Sequence, residues 1–419
     1  MRLVHLLREP TISRQDCSML QSLADTLAGH NMAQYNTLVV TKDGRPEPKR
    51  WREVRRQGDV RIYSERTSSS EQCTCPSTPQ LLLLGTIEGK LEDMMYGAVA
   101  TTDEAMKIQS ACTKDSVLDS KILYEIVRPS FDNPFRTVAV KWRLYEERDY
   151  VSLDATGIIK LPGREQVGYS ISHSVALADI PSFSKTHGIE RGNMSVCALY
   201  RQKTATTVEC YVRGFFDFET ENDVLRNMSL QEIASQWSAY ARKSSCALAK
   251  KLSWKARKNC GWSSHSTRTY SFADDLDDFV APKLRHRLPA SQKLRCAVCN
   301  KSSSFLSSIR QACSSCDLPI CSKCAVKHSV VALAPDQHTV LERKRSFCTP
   351  CMTAVENCDV LTIAREELVS SQEQYANDYW SRLSSTTTNS SFVSRHSSVS
   401  SLSSSLNSFH LARGGNDIP

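Results

Sequence analysis

Eight cysteines between positions 296 and 351 form four CxxC pairs. In a CxxC turn two sulfurs can reach one metal ion, so each pair supplies half of a tetrahedral site. The pairs are Cys296 with Cys299, Cys313 with Cys316, Cys321 with Cys324, and Cys348 with Cys351. Four pairs predict two structural Zn²⁺ ions, each in a closed site of four thiolates that leaves no open position for catalysis.

Disulfides and thiol catalysis are the alternative uses of these cysteines. The apolar run that opens the chain is broken by His5 and Arg8, so we expect no signal peptide. No stretch approaches the ~20 apolar residues of a membrane-spanning helix. We therefore expect a cytoplasmic or nuclear protein under reducing conditions, in which metal binding is favoured over disulfides. His328 is the histidine nearest to Cys324, and nothing marks it as a catalytic base.

Other patterns of catalytic residues are missing from the sequence. The glycines form neither a phosphate-binding loop nor a dinucleotide fingerprint. No pair of carboxylates stands in a context that indicates acid–base work. His173 has no serine and aspartate partners in a recognisable order, and we interpret it as a hydrogen-bonded strand residue. We therefore expect a protein that is not an enzyme.

Short segments rich in Val, Ile, Tyr and Thr, bounded by turn residues, predict an antiparallel sheet. They are YNTLVVTKD (35–43), VRIYSER (60–66), QLLLLGTIEG (80–89), TVAVKWRLY (137–145), RDYVSLDATGII (148–159), VGYSISHSVAL (167–177), SVCALYRQK (195–203) and TVECYVRGFFDF (207–218). Helical spacing recurs in residues 1–30, in residues 91–112 and after the last strand, where Ser229 and Glu232 form a capping-box signature. This order predicts an α+β fold with one strongly curved antiparallel sheet closed over one long C-terminal helix.

Composition divides the chain into segments. We expect an N-terminal helical segment (1–30), a sheet domain (31–260), a linker (261–290), the cysteine-rich module (291–358), a helix (359–383) and a disordered, serine-rich tail (384–419). The net charge is +8, and much of it lies between residues 242 and 258. We interpret that basic stretch as a solvated helix face.

The segments RQACSSCDLPICSKC and KRSFCTPC resemble the centre and the end of a FYVE-type zinc finger. The resemblance implies recognition of phosphatidylinositol 3-phosphate on endosomal membranes, and it implies cross-braced ligation. One zinc would be bound by Cys296, Cys299, Cys321 and Cys324, and the other by Cys313, Cys316, Cys348 and Cys351.

The phosphate-reading motif of that family, R-[R/K]-H-H-C-R, is mostly absent here. Only Arg310 is present at the matching positions. Arg343, Lys344 and Arg345 can add weak attraction to an anionic membrane surface. We therefore expect peripheral membrane contact without specific recognition of phosphatidylinositol 3-phosphate, and protein partners for the finger.

The segments DNPFRTVAVKW, RDYVSLD and GYSISHSVAL, followed by the C-terminal helix, resemble a START-like helix-grip domain. The resemblance implies an apolar cavity between sheet and helix that takes up one lipid. Arg148 with Asp149 is a candidate polar pair inside that cavity, an exposed strand-end pair being the alternative. Candidate lining residues are Trp142, Arg148, Val151, Tyr169, Tyr200, Tyr211, Trp237 and Tyr240. The alternative is that the aromatic residues fill a dry core.

These patterns lead to a hypothesis of a non-enzymatic modular adaptor, with a lipid-binding START-like domain and a finger that contacts a membrane or a protein. One alternative is a protein-interaction scaffold whose START-like domain is packed and binds no lipid. A RING-type ubiquitin ligase would share the cross-braced module, but RING fingers typically place a histidine among the middle ligands. Nucleic-acid binding would need aromatics interleaved with basic residues, and the finger has only Phe305 and Phe347.

Overall fold

The computed structural model of the chain describes residues 3–66, 80–217, 223–259, 295–301, 311–334 and 339–370. One unit extends from Met1 to Leu368, and a second from Val369 to Pro419. The expected linker, the serine-rich tail, the end of the last helix and Arg310 lie outside the described residues.

One sheet organises the first unit. Its strands are β1 (Trp51–Gln57), β2 (Val60–Glu65), β3 (Gln80–Glu88), β4 (Asp119–Val127), β5 (Thr137–Leu144), β6 (Arg148–Lys160), β7 (Gln166–Ser174), β8 (Glu190–Arg191), β9 (Asn193–Gln202) and β10 (Thr207–Asp217). Their spatial order is β1-β2-β3-β10-β9-β7-β6-β5-β4, and all these neighbours are antiparallel. The short β8 pairs in parallel with β6. The last strand therefore closes against the third one.

Six helices accompany the sheet among the described residues up to position 259. They are α1 (Arg14–Asn36), α2 (Leu91–Ala98), α3 (Asp103–Thr113), α4 (Ser184–His187), α5 (Asp223–Gln236) and α6 (Lys243–Asn259), and a 3-10 stretch (Trp237–Arg242) joins α5 to α6. Helix α1 begins with a capping box, in which the Ser13 hydroxyl accepts from the Asp16 amide at 3.1 Å. No described helix is long and apolar enough to cross a membrane.

The two faces of the sheet are covered by different helices. The outer face packs against α1, through a cluster that includes Leu20, Ala24 and Ala28. The inner face packs against α2, α5 and the 3-10 stretch, through a cluster that includes Met94 and Trp237. Successive strand residues point to opposite faces, so side chains alternate between the two clusters along each central strand.

Seven of the eight predicted strand segments contain strands, namely β2, β3, β5, β6, β7, β9 and β10. The prediction for residues 35–43 is wrong, because α1 continues to Asn36 and only Val40 forms an isolated bridge, to Pro46. Strands β1 and β4 were missed. Strand β1 has the sequence WREVRRQ and is mostly exposed at the edge of the sheet, so it lacks apolar alternation.

The helix boundaries also differ from the sequence prediction. Helix α5 begins at Asp223, so Ser229 and Glu232 lie inside it and do not mark its start. The C-terminal helix is interrupted by the 3-10 stretch, and residues 91–112 divide into α2 and α3. Thr102 separates the latter two, since its hydroxyl accepts from the Ala105 amide at 3.1 Å and caps α3.

The cysteine-rich module consists of two small hairpins and a helix. They are β11 (Gln311–Ala312) with β12 (Pro319–Ile320), β13 (Ala325–Leu333) with β14 (Val340–Cys348), and α7 (Thr349–Glu356). A further helix, α8, covers residues 360–370. Val360 and Ile363 of α8 belong to the inner-face cluster of the sheet. The helix that follows the module therefore packs against the sheet domain.

Candidate metal centres and a buried polar cluster

The eight CxxC cysteines come together as two groups of four. Within each group the sulfur atoms all lie within 4.8 Å of one another. The first group is Cys296, Cys299, Cys321 and Cys324, and the second is Cys313, Cys316, Cys348 and Cys351. These are the two sets that the FYVE-type resemblance implies.

The sulfur spacing fits a tetrahedral metal ion. The sulfurs of Cys299 and Cys321 are 3.8 Å apart, and those of Cys316 and Cys348 are 3.9 Å apart. A tetrahedron with Zn–S bonds of about 2.3 Å has sulfur–sulfur edges of about 3.8 Å. Each group can therefore hold one metal ion, and the all-sulfur donor set is consistent with zinc.

Backbone amides point at the sulfurs in both groups. The Cys313 sulfur accepts from the amides of Ser315 at 3.4 Å and Cys348 at 3.2 Å. The Cys296 sulfur accepts from the Cys321 amide at 3.4 Å. Burial alone raises the pKa of the Cys313 thiol, but the amide donors outweigh it and the net shift is downward. The amides around Cys313 therefore favour its thiolate, which is the form that binds metal.

Two of the CxxC turns are closed by a residue with a left-handed backbone. Asn300 follows Cys299 with φ 55°, and Asp317 follows Cys316 with φ 57°. Asn and Asp adopt this conformation more readily than most other non-glycine residues. In both turns that residue's amide donates 2.8 Å to the carbonyl of the first cysteine. The sequence thus specifies the turn chemistry as well as the ligands.

Helix α6 connects the cysteine-rich module to the sheet domain. Leu252 is 1% exposed and packs in the core of the cysteine-rich module with Phe347 and Met352. Lys251 is 3% exposed, and its ammonium lies 2.6 Å from Asp93 of α2. The prediction that this basic stretch is a solvated helix face is therefore wrong at Lys251.

The candidate lipid-binding aromatics are divided between the two faces of the sheet. Tyr200, Trp237 and Tyr240 belong to the inner-face cluster or pack against it. Trp142, Val151, Tyr169 and Tyr211 belong to the outer-face cluster under α1. The structure does not bring these two sets together, so they do not line one common space.

Arg148 and Asp149 do not form the polar pair expected of a cavity. Asp149 is completely buried and lies 2.8 Å from the guanidinium of Arg191. It also accepts from the Trp142 indole at 2.7 Å, which places it with the outer-face residues. Arg148 is half-buried at the start of β6.

The inner face carries a different ion pair, between Arg143 of β5 and Asp154 of β6. The Asp154 carboxylate accepts from Arg143 at 3.1 Å, from Ser152 at 2.8 Å and from Ser172 at 2.9 Å. Lys141 lies 3.9 Å from the same carboxylate. These five residues form what is termed here the buried polar cluster. Charged residues inside the apolar segments VAVKWRL and VSLDAT were the sequence signal for it.

Electrostatics couple the members of the buried polar cluster. Burial raises the pKa of Asp154, but Arg143 and Lys141 outweigh this and hold that pKa below its ordinary value. Burial lowers the pKa of Lys141 to about 8, although Asp154 opposes the shift. The Arg143 side chain is still 16% exposed, so the cluster is not sealed on all sides.

Two buried polar atoms near the sheet lack partners among the described residues. The Tyr200 hydroxyl is one, within the inner-face cluster, and burial raises its pKa well above the ordinary value. The other is Nδ1 of His173, which was expected to be hydrogen-bonded. An unpartnered buried hydroxyl costs about 1–3 kcal/mol, so it calls for a reason such as a bound ligand or water.

The candidate membrane-contact residues on β14 do not share one surface. Lys344 is exposed, whereas Arg343 and Arg345 are half-buried on the opposite side of the strand. Arg310 lies outside the described residues.

No protein-family model and no curated protein matches the sequence. Solved structures similar to the chain include the human StAR-related lipid transfer protein 5, with 14% identity, a TM-score of 0.35 and coverage of 54% of this chain and 97% of that chain. The human StarD13 lipid transfer and protein localization domain has 10% identity and a TM-score of 0.33, covering 46% of this chain and 88% of that chain. A STAR-related lipid transfer protein from Xanthomonas axonopodis has 9% identity and a TM-score of 0.29, covering 47% and 98% respectively.

The chain has one large antiparallel sheet with helices on both faces, as the predicted α+β fold class requires. Two cysteine groups that can each hold a metal ion follow this sheet domain in the sequence.

Proposed function

We propose that the chain is a non-enzymatic, lipid-binding adaptor. Its START-like body would hold one lipid against the inner face of the sheet, and its FYVE-related finger, built on two structural zinc ions, would contact a membrane surface or a protein. The observation that carries this proposal is the buried polar cluster, together with the unpartnered hydroxyl of Tyr200 on the same face.

The inner face has the two parts that an amphiphilic ligand needs. Apolar side chains from α2 and α5, such as Met94 and Ile233, belong to the same buried cluster as Tyr200. Each methylene buried there would contribute about 0.8 kcal/mol. Arg143, with 16% of its side chain exposed, would hold an anionic or hydroxyl headgroup.

The finger would act through its shape. When bound, the two zinc ions supply cross-links between segments that are far apart in sequence, and no open coordination position. Backbone amides around Cys313 and Cys296 would hold the thiolates in place. Lys344 offers an exposed charge for weak contact with an anionic membrane.

One observation favours the alternative of a packed scaffold without lipid. The Trp237 ring lies so close to Gly214 that a Cβ on that glycine would be 2.6 Å from it. Trp237 also contacts Phe216 and Tyr240, with ring centroids 5.9 and 5.8 Å apart. Aromatic side chains thus fill part of the inner face. No described residue specifically favours the RING-type ligase.

Native mass spectrometry of the full chain, purified without added lipid and then exposed to mixed-lipid vesicles, tests the proposal. We expect two zinc ions and one retained mass of lipid size. A variant with Lys141→Met, Arg143→Met and Asp154→Leu should keep both zinc ions but lose the lipid, because it removes all three charges of the buried polar cluster. Well-packed apolar residues often replace a buried ion pair without loss of stability. Arg128→Met, at a side chain 70% exposed, is the matched control. Two zinc ions with no lipid from any source would favour the packed scaffold.

A further inference from the structure

A second polar recess, termed here the basic cleft, plays no part in the proposed lipid or zinc sites. It encloses about 380 Å³ and lies where the end of β1, the turn after α3 and the C-terminal helix meet. Its lining residues are Arg55, Arg56, Gln57, Lys114, Ser116, Ser235, Ser238 and Arg242.

The lining of the basic cleft is one-sided in charge. Four of its residues are cationic and none is acidic. Among the described residues, none of these four cations forms an ion pair with a carboxylate. The negative charge of Asp115 favours the charged form of nearby Arg242. The Asp115 carboxylate, however, already accepts hydrogen bonds from the Ser110 hydroxyl and the Val117 amide. The positive charge of the cleft is therefore mostly uncompensated.

The cations are held close together although they repel each other. Burial lowers the pKa of Arg242, and the charge of Arg55 lowers it further, against the opposing effect of Asp115. Arg242 is fixed by donating to the carbonyls of Thr113 and Lys114. It thereby covers the C-terminal carbonyl oxygens of α3, which would otherwise repel an anion.

Strand β1 contributes two adjacent arginines to the same cleft. Residues next to each other on a regular strand point to opposite faces. The β1–β2 register shifts between Glu53 and Arg55 and is regular from Arg55 to Gln57. Both arginines therefore lie just past this bulge, at the exposed end of the edge strand, and both line the cleft from there. The Arg56 guanidinium donates to the Gly58 carbonyl at 3.1 Å, which orients it over the turn.

An unpartnered hydroxyl borders the cleft as well. Ser238 is 4% exposed, and its hydroxyl has no hydrogen-bond partner within the described part of the chain. Buried hydroxyls are normally hydrogen-bonded, so this donor calls for a partner that the fold does not supply. Cations around an unused hydroxyl donor suit an oxyanion with several acceptor atoms.

We propose that the basic cleft binds a phosphate monoester, carried either by a phospholipid headgroup or by a small soluble metabolite. Arginine forks match phosphate oxygens in bidentate geometry, and the Ser238 hydroxyl would donate to a further oxygen. The volume lies at the lower end of the ~300–1,000 Å³ of small-molecule sites. No aromatic side chain lines the cleft, so it lacks the stacking surface of a nucleic-acid site.

The test uses the zinc-loaded full chain and two probes. Soluble inositol trisphosphate is titrated by calorimetry, and phosphatidylcholine vesicles with or without a phosphatidylinositol monophosphate are used for sedimentation. Arg55→Gln should weaken binding about tenfold, as expected for the loss of one charge-assisted hydrogen bond. Ser238→Ala should weaken binding without lowering the melting temperature of the unliganded protein, because its hydroxyl bonds to nothing in the fold.

Arg52→Gln is the matched control, since Arg52 is exposed on the same strand but does not line the cleft. Binding of the soluble probe identifies a free phosphate ester as sufficient, and binding only to the phosphorylated vesicles identifies a lipid headgroup. The proposal is overturned if neither probe binds. It is also overturned if Arg55→Gln and Arg52→Gln weaken binding equally, or if Ser238→Ala binds like the wild type.

Discussion

Asp154 shows at the scale of one residue how strongly the inner face depends on charge balance. Its carboxylate is 10% exposed and faces both Arg143 and Lys141. The three charges lie on adjacent strands, where desolvation makes each of them costly without the others. The same balance governs how the cluster responds to mutation and to pH.

We expect Asp154→Asn to lower the free energy of unfolding by about 3–5 kcal/mol, because it leaves two buried cations without their counter-charge. Urea denaturation measures the change. Asp25→Asn is the matched control, since it removes a carboxylate that is 55% exposed and pairs with Arg136. That control should change stability by less than about 1 kcal/mol. Equal effects of the two variants would contradict the role given to Asp154.

The buried ammonium group of Lys141 should make the free energy of unfolding depend on pH. Its pKa is lowered from 10.5 to about 8, so between these values the unfolded chain binds more protons than the folded one. The free energy of unfolding then rises with pH in this window, and the gain is lost as pH falls through about 8. At each pH the free energy of unfolding of Lys141→Met is subtracted from that of the wild type, and the difference isolates this contribution. A wild-type-minus-variant difference that is flat across the window would refute it.

At the scale of elements, each CxxC turn is a small unit that presents two sulfurs. Amide donors to the sulfur, as at Cys313, favour the thiolate there. A residue with a left-handed backbone closes two of the four turns. The sulfurs of two such turns from different parts of the module come together, so each group of four can hold one metal ion.

We expect Cys313→Ser to lose one of the two bound metal ions, because Cys313 belongs to only one group of four sulfurs. Elemental analysis of the purified chain measures the metal-to-protein ratio. Cys358→Ser is the control, since Cys358 lies outside both groups and packs against the inner-face cluster. Retention of both ions by Cys313→Ser would contradict the assignment, as would loss of an ion from Cys358→Ser.

At the scale of the whole first unit, the finger and the sheet domain have separate cores that are joined by shared helices. Helix α6 gives Leu252 to the finger core and Ala247 to the inner-face cluster. Helix α8 follows the finger in sequence, yet Ile363 packs in the inner-face cluster. The two modules therefore should not unfold independently.

We expect Ile363→Ala to lower the free energy of unfolding by about 2–5 kcal/mol through the cavity it leaves. Val369→Ala on the same helix, at a side chain 46% exposed, should have little effect. Chelation of the bound metal should likewise lower the melting temperature of the sheet domain, followed by circular dichroism at strand wavelengths. An unchanged sheet transition after complete metal removal would show that the modules are independent.

The amino-acid sequence by itself determined the local features. CxxC spacing identified all eight candidate ligands, and period-two alternation located seven strands, because both signals need only neighbouring residues. The edge strand β1 escaped detection since it buries little apolar surface and so has no alternation to read.

Only the tertiary structure decided which residues share a face. A shift of one position moves a side chain to the other side of a sheet, so Tyr200 and Tyr211 separate although both are buried aromatics on paired strands. For the same reason the ion pair on the inner face is Arg143 with Asp154, whereas Asp149 lies on the outer face and pairs with Arg191. The basic cleft joins β1, α3 and the C-terminal helix, and such long-range juxtaposition depends on strand pairing and helix docking that no local pattern encodes.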